Sequence, residues 1–423
     1  MLKKQIRQNA DPSIKPFRIS NSALSLSVTA IAIVIYVSFI AVLLPLTNNN
    51  LYGLYGFSQE LTHAGSGDSP WRKHVHPKPG YDGQFYFRLA LDPFTDKREA
   101  FGVNLDAPLM RQQRILLPFF TWLIARGDPA ITPPVMMAIN LAAVAGCAFT
   151  SSLLLSGLGI SAWYGLLFAL YPGFAISVGR FLTEPLTLFM IFLSLLMLVH
   201  RKNLSASILL SLAVFSRETA TLVVAAGFFT WLTRKHLRNG TKDYFSPHVS
   251  FWLYPTLAFL LWQLWLYYNW SSLLFDNATS SNLGPPFVGF FRAICENITK
   301  LNPATGFYLM MTSAVVAYQI FLSRTILRAP LLLLISWICY LLLATCIGIA
   351  QWRDSPGFLR ILAELNMLGL LAYVIVKKRP GKVFVSFWLV AWLLTAGAEW
   401  YHLYLVQETL SGKMGAAATG IYK

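Results

Sequence analysis

The chain has 423 residues, of which 56% are apolar and only 12% are charged. Soluble domains usually carry about 25% charged residues, so this composition excludes an ordinary soluble protein. The net charge of +16 could indicate a nucleic-acid binder, but such proteins gather their lysines and arginines on one soluble face. Here the basic residues are scattered in short segments between apolar runs, which argues against a nucleic-acid partner.

Apolar runs long enough to form membrane-spanning helices recur along the chain. A helix needs about 20 residues to cross a hydrocarbon layer of roughly 30 Å. We therefore predict an all-α polytopic membrane protein, embedded in a lipid bilayer, with about eleven transmembrane helices. The predicted spans are 23–46, 133–155, 161–178, 183–199, 204–216, 219–233, 250–268, 306–323, 330–350, 358–376 and 383–406.

The charges predict an orientation for these spans. If the N-terminus is cytoplasmic, half of the 34 lysines and arginines fall in the short cytoplasmic segments, which is the positive-inside signature. Of the 18 acidic residues, only Asp11 and Asp243 are then cytoplasmic. The predicted organisation is a cytoplasmic tail, a first transmembrane helix, an extracytoplasmic loop with juxtamembrane helices, a helix bundle and a C-terminal tail, at 1–22, 23–46, 47–132, 133–406 and 407–423.

The apolar segment 115–125 has two interpretations. If it were a span, the orientation after it would be inverted and basic pairs such as Arg201-Lys202 would lie outside. The segment is short, contains Pro118 and is flanked by arginines, as expected for a helix lying among lipid headgroups. We predict that it lies in the outer interface, with a full span as the alternative.

The predicted loop 47–132 is far longer than the usual helix connection of about 2 to 8 residues, and loops of that length are usually functional. From Gln84 the spacing of apolar residues predicts one short helix that ends at Pro93, with Asp82 near its N-cap. Asp82 is therefore interpreted either as a helix cap or as a catalytic carboxylate, and the two roles are compatible.

Three stretches of this region, Tyr81 to Tyr86, Ala90 to Pro93 and Arg111 to Pro118, resemble a group of bacterial membrane proteins implicated in cell-surface glycopolymer formation. More distantly, the chain resembles the GT-C glycosyltransferases, which take sugar from a polyprenyl-phosphate carrier and have an aspartate in their first loop. The resemblance implies a GT-C-like fold with Asp82 as the catalytic residue. Many such loops carry paired acids, whereas here the next acid after Asp82 is Asp92. No metal or other cofactor is therefore expected to be required, although a divalent metal stays open.

Ionisable residues at membrane depth cost at least about 2 to 3 kcal/mol each, so they indicate function by default. Arg180 with Glu184, and Arg360 with Glu364, are spaced i,i+4, which predicts an ion pair on one helix face in each case. Such pairs either serve a binding site or only hold helices together. On the last span, Glu399 lies near His402, which predicts either a proton relay or a buried hydrogen bond.

The two short predicted spans 204–216 and 219–233 meet at Arg217, where they could turn below the outer surface. Irregular backbone at membrane depth is tolerated where it lines a cavity, so Arg217 is predicted to point into a groove and bind a lipid phosphate. The full predicted substrate-binding set is Tyr81, Gln84, Asp92, Arg111, Arg114, Arg180, Glu184, Arg217, Glu218, Arg353 and Arg360.

The expected function is inverting transfer of a sugar from a polyprenyl-phosphate-linked donor to a glycan, lipid or protein acceptor. The expected location is the bacterial inner membrane, with the site facing outward. Asp82 would act as general base, and Arg217, Arg180 and Arg353 would stabilise the departing phosphate. The alternatives are a transporter or flippase of a lipid-linked glycan, and a non-catalytic assembly subunit.

Overall fold

The computed structural model describes residues 22–62, 70–75, 80–236, 244–272, 282–300 and 303–410. Except for Ser22, the predicted cytoplasmic tail lies outside these residues, and so does the chain after Leu410. The one sheet in the described chain is a hairpin of β1 (Glu99–Ala100) and β2 (Val103–Asn104). In the described residues the α-helices are α1 (Ser22–Leu43), α2 (Gly83–Leu91), α3 (Pro108–Gln112), α4 (Leu116–Ala125), α5 (Thr132–Gly157), α6 (Gly165–Ala169), α7 (Pro172–Gly179), α8 (Glu184–Val199), α9 (Asn203–Ser216), α10 (Thr221–His236), α11 (Val249–Trp270), α12 (Val288–Lys300), α13 (Pro303–Ile326), α14 (Leu331–Cys346), α15 (Ile349–Trp352), α16 (Ser355–Ile361), α17 (Ala363–Lys377) and α18 (Lys382–Leu410).

Five helices of the described chain, namely α1, α5, α11, α13 and α18, are long and apolar enough to cross a membrane. The shortest of these have 22 residues and rise about 33 Å, enough for a hydrocarbon layer of roughly 30 Å. Their outward residues are apolar, as Leu261 and Leu264 of α11 show. The chain is therefore an integral membrane protein of the predicted all-α class.

Two further spans would each consist of a bent helix pair. Helices α6 and α7 are bent by 52°, and α16 and α17 by 55°. Tyr171 has an extended ψ of 128° because it precedes Pro172, which disfavours helical backbone before it. The other four predicted spans are α8, α9, α10 and α14, with 14 to 16 residues each, and they rise only about 21 to 24 Å. The described helices thus support five to seven full spans, and the predicted count of about eleven is not confirmed.

The segment 115–125 forms α4, which has 10 residues. At 1.5 Å per residue it is about 15 Å long, roughly half the thickness of the hydrocarbon layer. It ends at Arg126, whose φ of 54° lies in the left-handed region. It packs on α2 and α5. The length of α4 agrees with the prediction that this segment does not span.

The first loop is folded onto the bundle rather than extended from it. Helix α2 begins at Gly83 and ends before Asp92, as the apolar spacing predicts. A Cβ atom on Gly83 would lie 2.4 Å from the Arg180 carbonyl oxygen, so glycine permits the close approach of α2 to the bundle. Beside this contact, Tyr55 stacks on Phe181 with ring centroids 4.0 Å apart. The loop therefore rests on the break between α7 and α8.

Candidate active site

The carboxylate of Asp82, at the start of α2, joins two arginines from distant parts of the chain. Arg111 Nη1 donates to Oδ1 at 2.7 Å, and Arg360 Nη2 donates to Oδ2 at 2.8 Å. Asp82 is the N-cap residue of α2, as predicted, but its side chain makes no capping hydrogen bond. Because 17% of this side chain is exposed, the carboxylate lies at the surface rim of the bundle.

Arg111 is held from two further directions. Asp106 accepts hydrogen bonds from its Nε and Nη2 atoms, both at 2.8 Å. The ring of Phe85 lies below the guanidinium group, with its centroid 4.0 Å from Cζ. Asp106 is absent from the predicted site residues. Its position two residues before Pro108, the first residue of α3, is the signal that could have found it, since acids favour helix starts.

Arg360 connects Asp82 to carboxylates inside the bundle. Its Nε lies 3.2 Å from Glu184 Oε1, and Ser177 Oγ donates to Glu184 Oε2 at 2.9 Å. Glu184 Oε1 lies 3.7 Å from Arg217 Nη1, and the same nitrogen lies 3.1 Å from Glu364 Oε1. Cations and anions therefore alternate over four segments that are far apart in the sequence.

We call this set the arginine–carboxylate network; its members are Asp106, Arg111, Asp82, Arg360, Glu184, Arg217 and Glu364. The exposed fraction of the side chain falls from 39% at Asp106 to 17% at Asp82 and to 0% at Arg217. A ligand that arrives at the surface can reach the outer members of the network, while the inner members are sealed.

Both predicted i,i+4 ion pairs are wrong. Helix α7 ends at Gly179, and Arg180 has φ −129° while Phe181 has φ +56°, so Arg180 and Glu184 do not share a helix. The break after Ile361 separates Arg360 from Glu364 in the same way. The i,i+4 rule needs continuous helix, and both breaks turn the side chains toward partners elsewhere.

Arg217 does lie where two short helices meet, between α9 and the 3-10 turn Glu218–Ala220. Its side chain has no exposed surface, however, so the prediction that it points into a groove is wrong. It pairs with Glu364 and lies near Glu184. Thr219 Oγ1 also donates to Glu364 at 2.9 Å. In this arrangement Arg217 holds α9, α17 and α8 together.

Arg180 pairs with the last helix. Its Nε and Nη2 donate to the two oxygens of Glu399 at 2.5 and 2.7 Å. Its Cζ lies 4.2 Å from the centroid of the Tyr81 ring, and Arg360 Cζ lies 5.0 Å from the same centroid. Burial raises the pKa of Tyr81 to about 12, and the two arginines oppose this increase. Tyr81 is thus a protonated phenol whose ring contacts two guanidinium groups, next to Asp82 in the chain.

Arg114 and Glu218 form a second connection between the first loop and the bundle. Arg114 donates from Nε and Nη2 to the two carboxylate oxygens of Glu218 at 2.9 and 2.6 Å. Such a bidentate pair fixes orientation as well as distance. Both residues therefore lie beside the network, as the sequence predicts.

Three predicted residues lie apart from this site. Gln84 is fully buried, and its Oε1 accepts a hydrogen bond from the Ser58 backbone N–H at 3.3 Å. Asp92 follows the far end of α2, about 15 Å along the helix from Asp82. Arg353 pairs with Glu296 at 3.1 Å, and their side chains are 54% and 40% exposed. The predicted convergence of Arg353 with the other arginines is therefore wrong.

The surroundings of Asp82 determine its proton affinity. Burial alone would raise its pKa, but Arg360 and Arg111, with a smaller contribution from Arg114, hold the pKa well below the usual range. Asp82 is therefore an anion at neutral pH. While both arginines hold its oxygens, it is a weak proton acceptor, because efficient general bases have a pKa near the working pH.

An apolar groove runs between α1 and α18, with a volume of about 680 Å³. Val34, Val42 and Leu393 line it with side chains more than half exposed, so it opens outward from the bundle. Its end lies close to the Arg180–Glu399 pair: a Cβ atom on Gly179 would lie 3.5 Å from both Leu43 Cδ1 and Glu399 Cγ. The groove thus ends near the buried Arg180–Glu399 pair.

In the described part of the chain, no three His, Cys, Asp or Glu side chains come together to hold a metal ion. The expectation that no metal is required stays a prediction. Comparisons of the sequence and the structure with protein-family models, curated proteins and solved structures give no match.

Proposed function

We propose that this protein is an inverting glycosyltransferase that moves a sugar from a polyprenyl-phosphate-linked donor to an acceptor hydroxyl. The observation that carries the proposal is the position of Asp82, a carboxylate at the rim of a membrane bundle, directly between Arg111 and Arg360. Carboxylates accept protons in such reactions, and fixed guanidinium groups stabilise phosphates. The resemblance of the first-loop motif to bacterial cell-surface glycopolymer proteins, and more distantly to the GT-C glycosyltransferases, supports the same proposal.

In the proposed reaction, the acceptor oxygen forms a bond to the anomeric carbon of the donor sugar. The bond from that carbon to the phosphate oxygen breaks, and its electron pair leaves with the polyprenyl phosphate. Asp82 takes the proton of the acceptor hydroxyl, while Arg360 and Arg111 stabilise the charge that develops on the phosphate. Attack on the face opposite the phosphate inverts the configuration at the anomeric carbon.

The groove between α1 and α18 supports a lipid-linked donor. Its outward-facing apolar lining suits an isoprenoid chain, and its end approaches Arg180 and Tyr81. Tyr81 in turn contacts Arg360, which holds Asp82. In this proposal the lipid tail of the donor lies in the groove, and its phosphate lies beyond Tyr81, at Arg360 and Arg111.

The acceptor is a hydroxyl of a glycan, lipid or protein outside the cytoplasm, and the membrane is the bacterial inner membrane. The concentration of basic residues in the predicted cytoplasmic segments supports this orientation. The site would then face outward, together with most of the acidic residues.

Mass spectrometry of lipid extracts tests the proposal. A strain that lacks the gene should accumulate one polyprenyl-phosphate sugar relative to its parent, because the step that consumes it is missing. The wild-type gene should restore the parental level, and Asp82→Asn should not. Equal levels of all polyprenyl-phosphate sugars in deletion and parent strains would contradict a donor-consuming transferase.

A transporter of a lipid-linked glycan is the second candidate, and the two bent helix pairs favour it. Broken helices are common at the binding sites of transporters, and the bends of 52° and 55° are alike. Purified protein in vesicles separates the two functions. A transporter moves a fluorescent lipid-linked sugar across the bilayer and leaves it intact, whereas a transferase cleaves the bond between sugar and phosphate.

A further inference from the structure

The two guanidinium groups at Asp82 have the geometry of an oxyanion site. Arg111 and Arg360 each donate one hydrogen bond, at 2.7 and 2.8 Å, to the two oxygens of one carboxylate. A phosphate group can offer two oxygens to the same donors. Arginine is the side chain best suited to such recognition, because its planar group carries several donors in a fixed arrangement.

The outer part of the network is accessible enough to exchange partners. The side chains of Asp82, Arg111 and Arg360 are 17%, 14% and 13% exposed. Arg217 and Glu364, by contrast, are 0% and 1% exposed, so no ligand can reach them without opening the bundle. The exchangeable anion site is therefore at Arg111 and Arg360.

The observed pairing is unsuited to proton transfer. Both Asp82 oxygens accept charge-assisted hydrogen bonds, which hold its pKa well below the usual range despite the opposing effect of burial. For Asp82 to act as a base, at least one arginine has to find another anion. The donor phosphate is a diester with one negative charge, and it competes with the carboxylate by offering two non-bridging oxygens while its lipid tail binds in the groove between α1 and α18. Once the sugar has left, the polyprenyl phosphate is a monoester with about −1.5 to −2 charges at pH 7, and it binds the two arginines more strongly than a carboxylate does.

We infer that Asp82 is an internal counter-ion occupying the binding site of the donor phosphate, and that the phosphate displaces it from Arg360 and Arg111. This inference rests on the proposed function. Once released, Asp82 lies next to the phosphate and free to accept a proton from the acceptor. The base is thus available only when the donor is in place.

Binding of farnesyl phosphate, a monoester that stands for the departing polyprenyl phosphate at the same two arginines, to the purified full chain in a neutral detergent tests this inference. Asp82→Asn removes the competing charge, so it should tighten binding about tenfold or more, since a hydrogen bond to a charged group contributes about 1.5 to 3 kcal/mol. Most substitutions at a binding site weaken binding, which makes this expected result distinctive. Unchanged or weaker binding by a folded Asp82→Asn protein would overturn the inference.

Asp106→Asn provides a second test that does not depend on the folding of the Asp82 variant. Asp106 competes for Arg111 alone and is 39% exposed, so its loss should tighten binding by a smaller factor. Glu296→Gln is the matched control, because it removes an acid whose partner Arg353 lies outside the network. Equal tightening by Glu296→Gln would show a general charge effect and contradict the inference.

Binding measurements with other ligands distinguish a lipid-linked phosphate from free phosphate and from ordinary lipid headgroups. Farnesyl phosphate should bind, and farnesol, which lacks the phosphate, should not. Inorganic phosphate should compete more weakly, because it lacks the tail that fills the groove between α1 and α18. If nanodiscs rich in phosphatidylglycerol abolish farnesyl phosphate binding, the site takes ordinary lipid headgroups, and the assignment to a donor phosphate is overturned.

Failure of the inference and failure of the proposed function give different results. An Asp82→Asn protein that is inactive but binds farnesyl phosphate no more tightly would overturn the counter-ion role and leave the transferase proposal intact. An Asp82→Asn protein that still transfers sugar would remove the transferase mechanism, whatever its affinity.

Discussion

The outer and inner ends of the arginine–carboxylate network use the same chemistry in different surroundings. At the outer end, Asp82 holds Arg111 and Arg360 with each side chain 13% to 17% exposed. At the inner end, Arg217 holds Glu364 with both side chains at most 1% exposed. A buried pair cannot exchange either partner for water or ligand without a large cost. The partners at the inner end are therefore fixed, whereas those at the outer end can be exchanged.

The largest expected effect is on stability, at the inner end. Arg217→Ala leaves Glu364 buried without its cation, while Glu184 keeps Arg360, and the change should lower the free energy of unfolding by about 3 to 5 kcal/mol. Thermal unfolding in detergent measures the loss. Glu364→Gln in the same protein should restore part of it, because it removes the uncompensated charge. A drop in farnesyl phosphate affinity without a loss of stability would instead move the phosphate site to Arg217.

At the outer end, Arg360→Gln should mainly affect the reaction. We expect sugar transfer to fall by about 10²- to 10³-fold, the usual loss when one donor to a developing negative charge is removed. Arg360→Lys should recover only part of the rate, because lysine keeps the charge but loses the planar group. Initial rates with a polyprenyl-phosphate sugar measure both variants. Full activity of Arg360→Gln would assign the leaving phosphate to another cation.

Arg114 and Glu218 should show an intermediate effect, since this pair lies between the two environments. Their side chains are 7% and 24% exposed. Glu218→Gln should lower the free energy of unfolding by about 1 to 3 kcal/mol, between the values of up to about 1 kcal/mol for surface pairs and about 3 to 5 kcal/mol for buried pairs. Thermal unfolding tests this value. A loss as large as that of Arg217→Ala would show that the pair belongs to the sealed part of the network.

The smallest effect is expected at Arg353, which pairs with Glu296 where both side chains are exposed. Arg353→Ala should change the free energy of unfolding by no more than about 0.5 kcal/mol and leave sugar transfer unchanged. The same unfolding and rate measurements apply. A tenfold fall in the rate would restore the sequence-based assignment of Arg353 to the phosphate site.

The helices and the site residues differ in how far the sequence predicts them. Run length locates the long helices, and apolar spacing locates α2 and its end before Pro93. The ion partners of Arg180 and Arg360 are not predictable in this way. The chain breaks at Phe181, with φ +56°, and at Leu362, so the local i,i+4 rule does not apply.

Packing of distant helices decides which partners replace the local ones. Arg180 finds Glu399 on α18, and Arg217 finds Glu364 on α17. These residues are 219 and 147 positions apart, and no local pattern encodes such a pairing. The sequence therefore indicates which residue types gather at one end of the bundle, but only the structure shows which of them stay accessible.

The most direct test of the central claim is sugar transfer by purified Asp82→Asn in lipid vesicles, with thermal unfolding as the check on folding. The amide keeps the size and polarity of the carboxylate but cannot take a proton, so transfer should fall by about 10²- to 10⁴-fold. Residual product should keep the inverted anomeric configuration. A folded Asp82→Asn protein that transfers sugar within threefold of the wild-type rate would contradict the assignment of Asp82 as the general base.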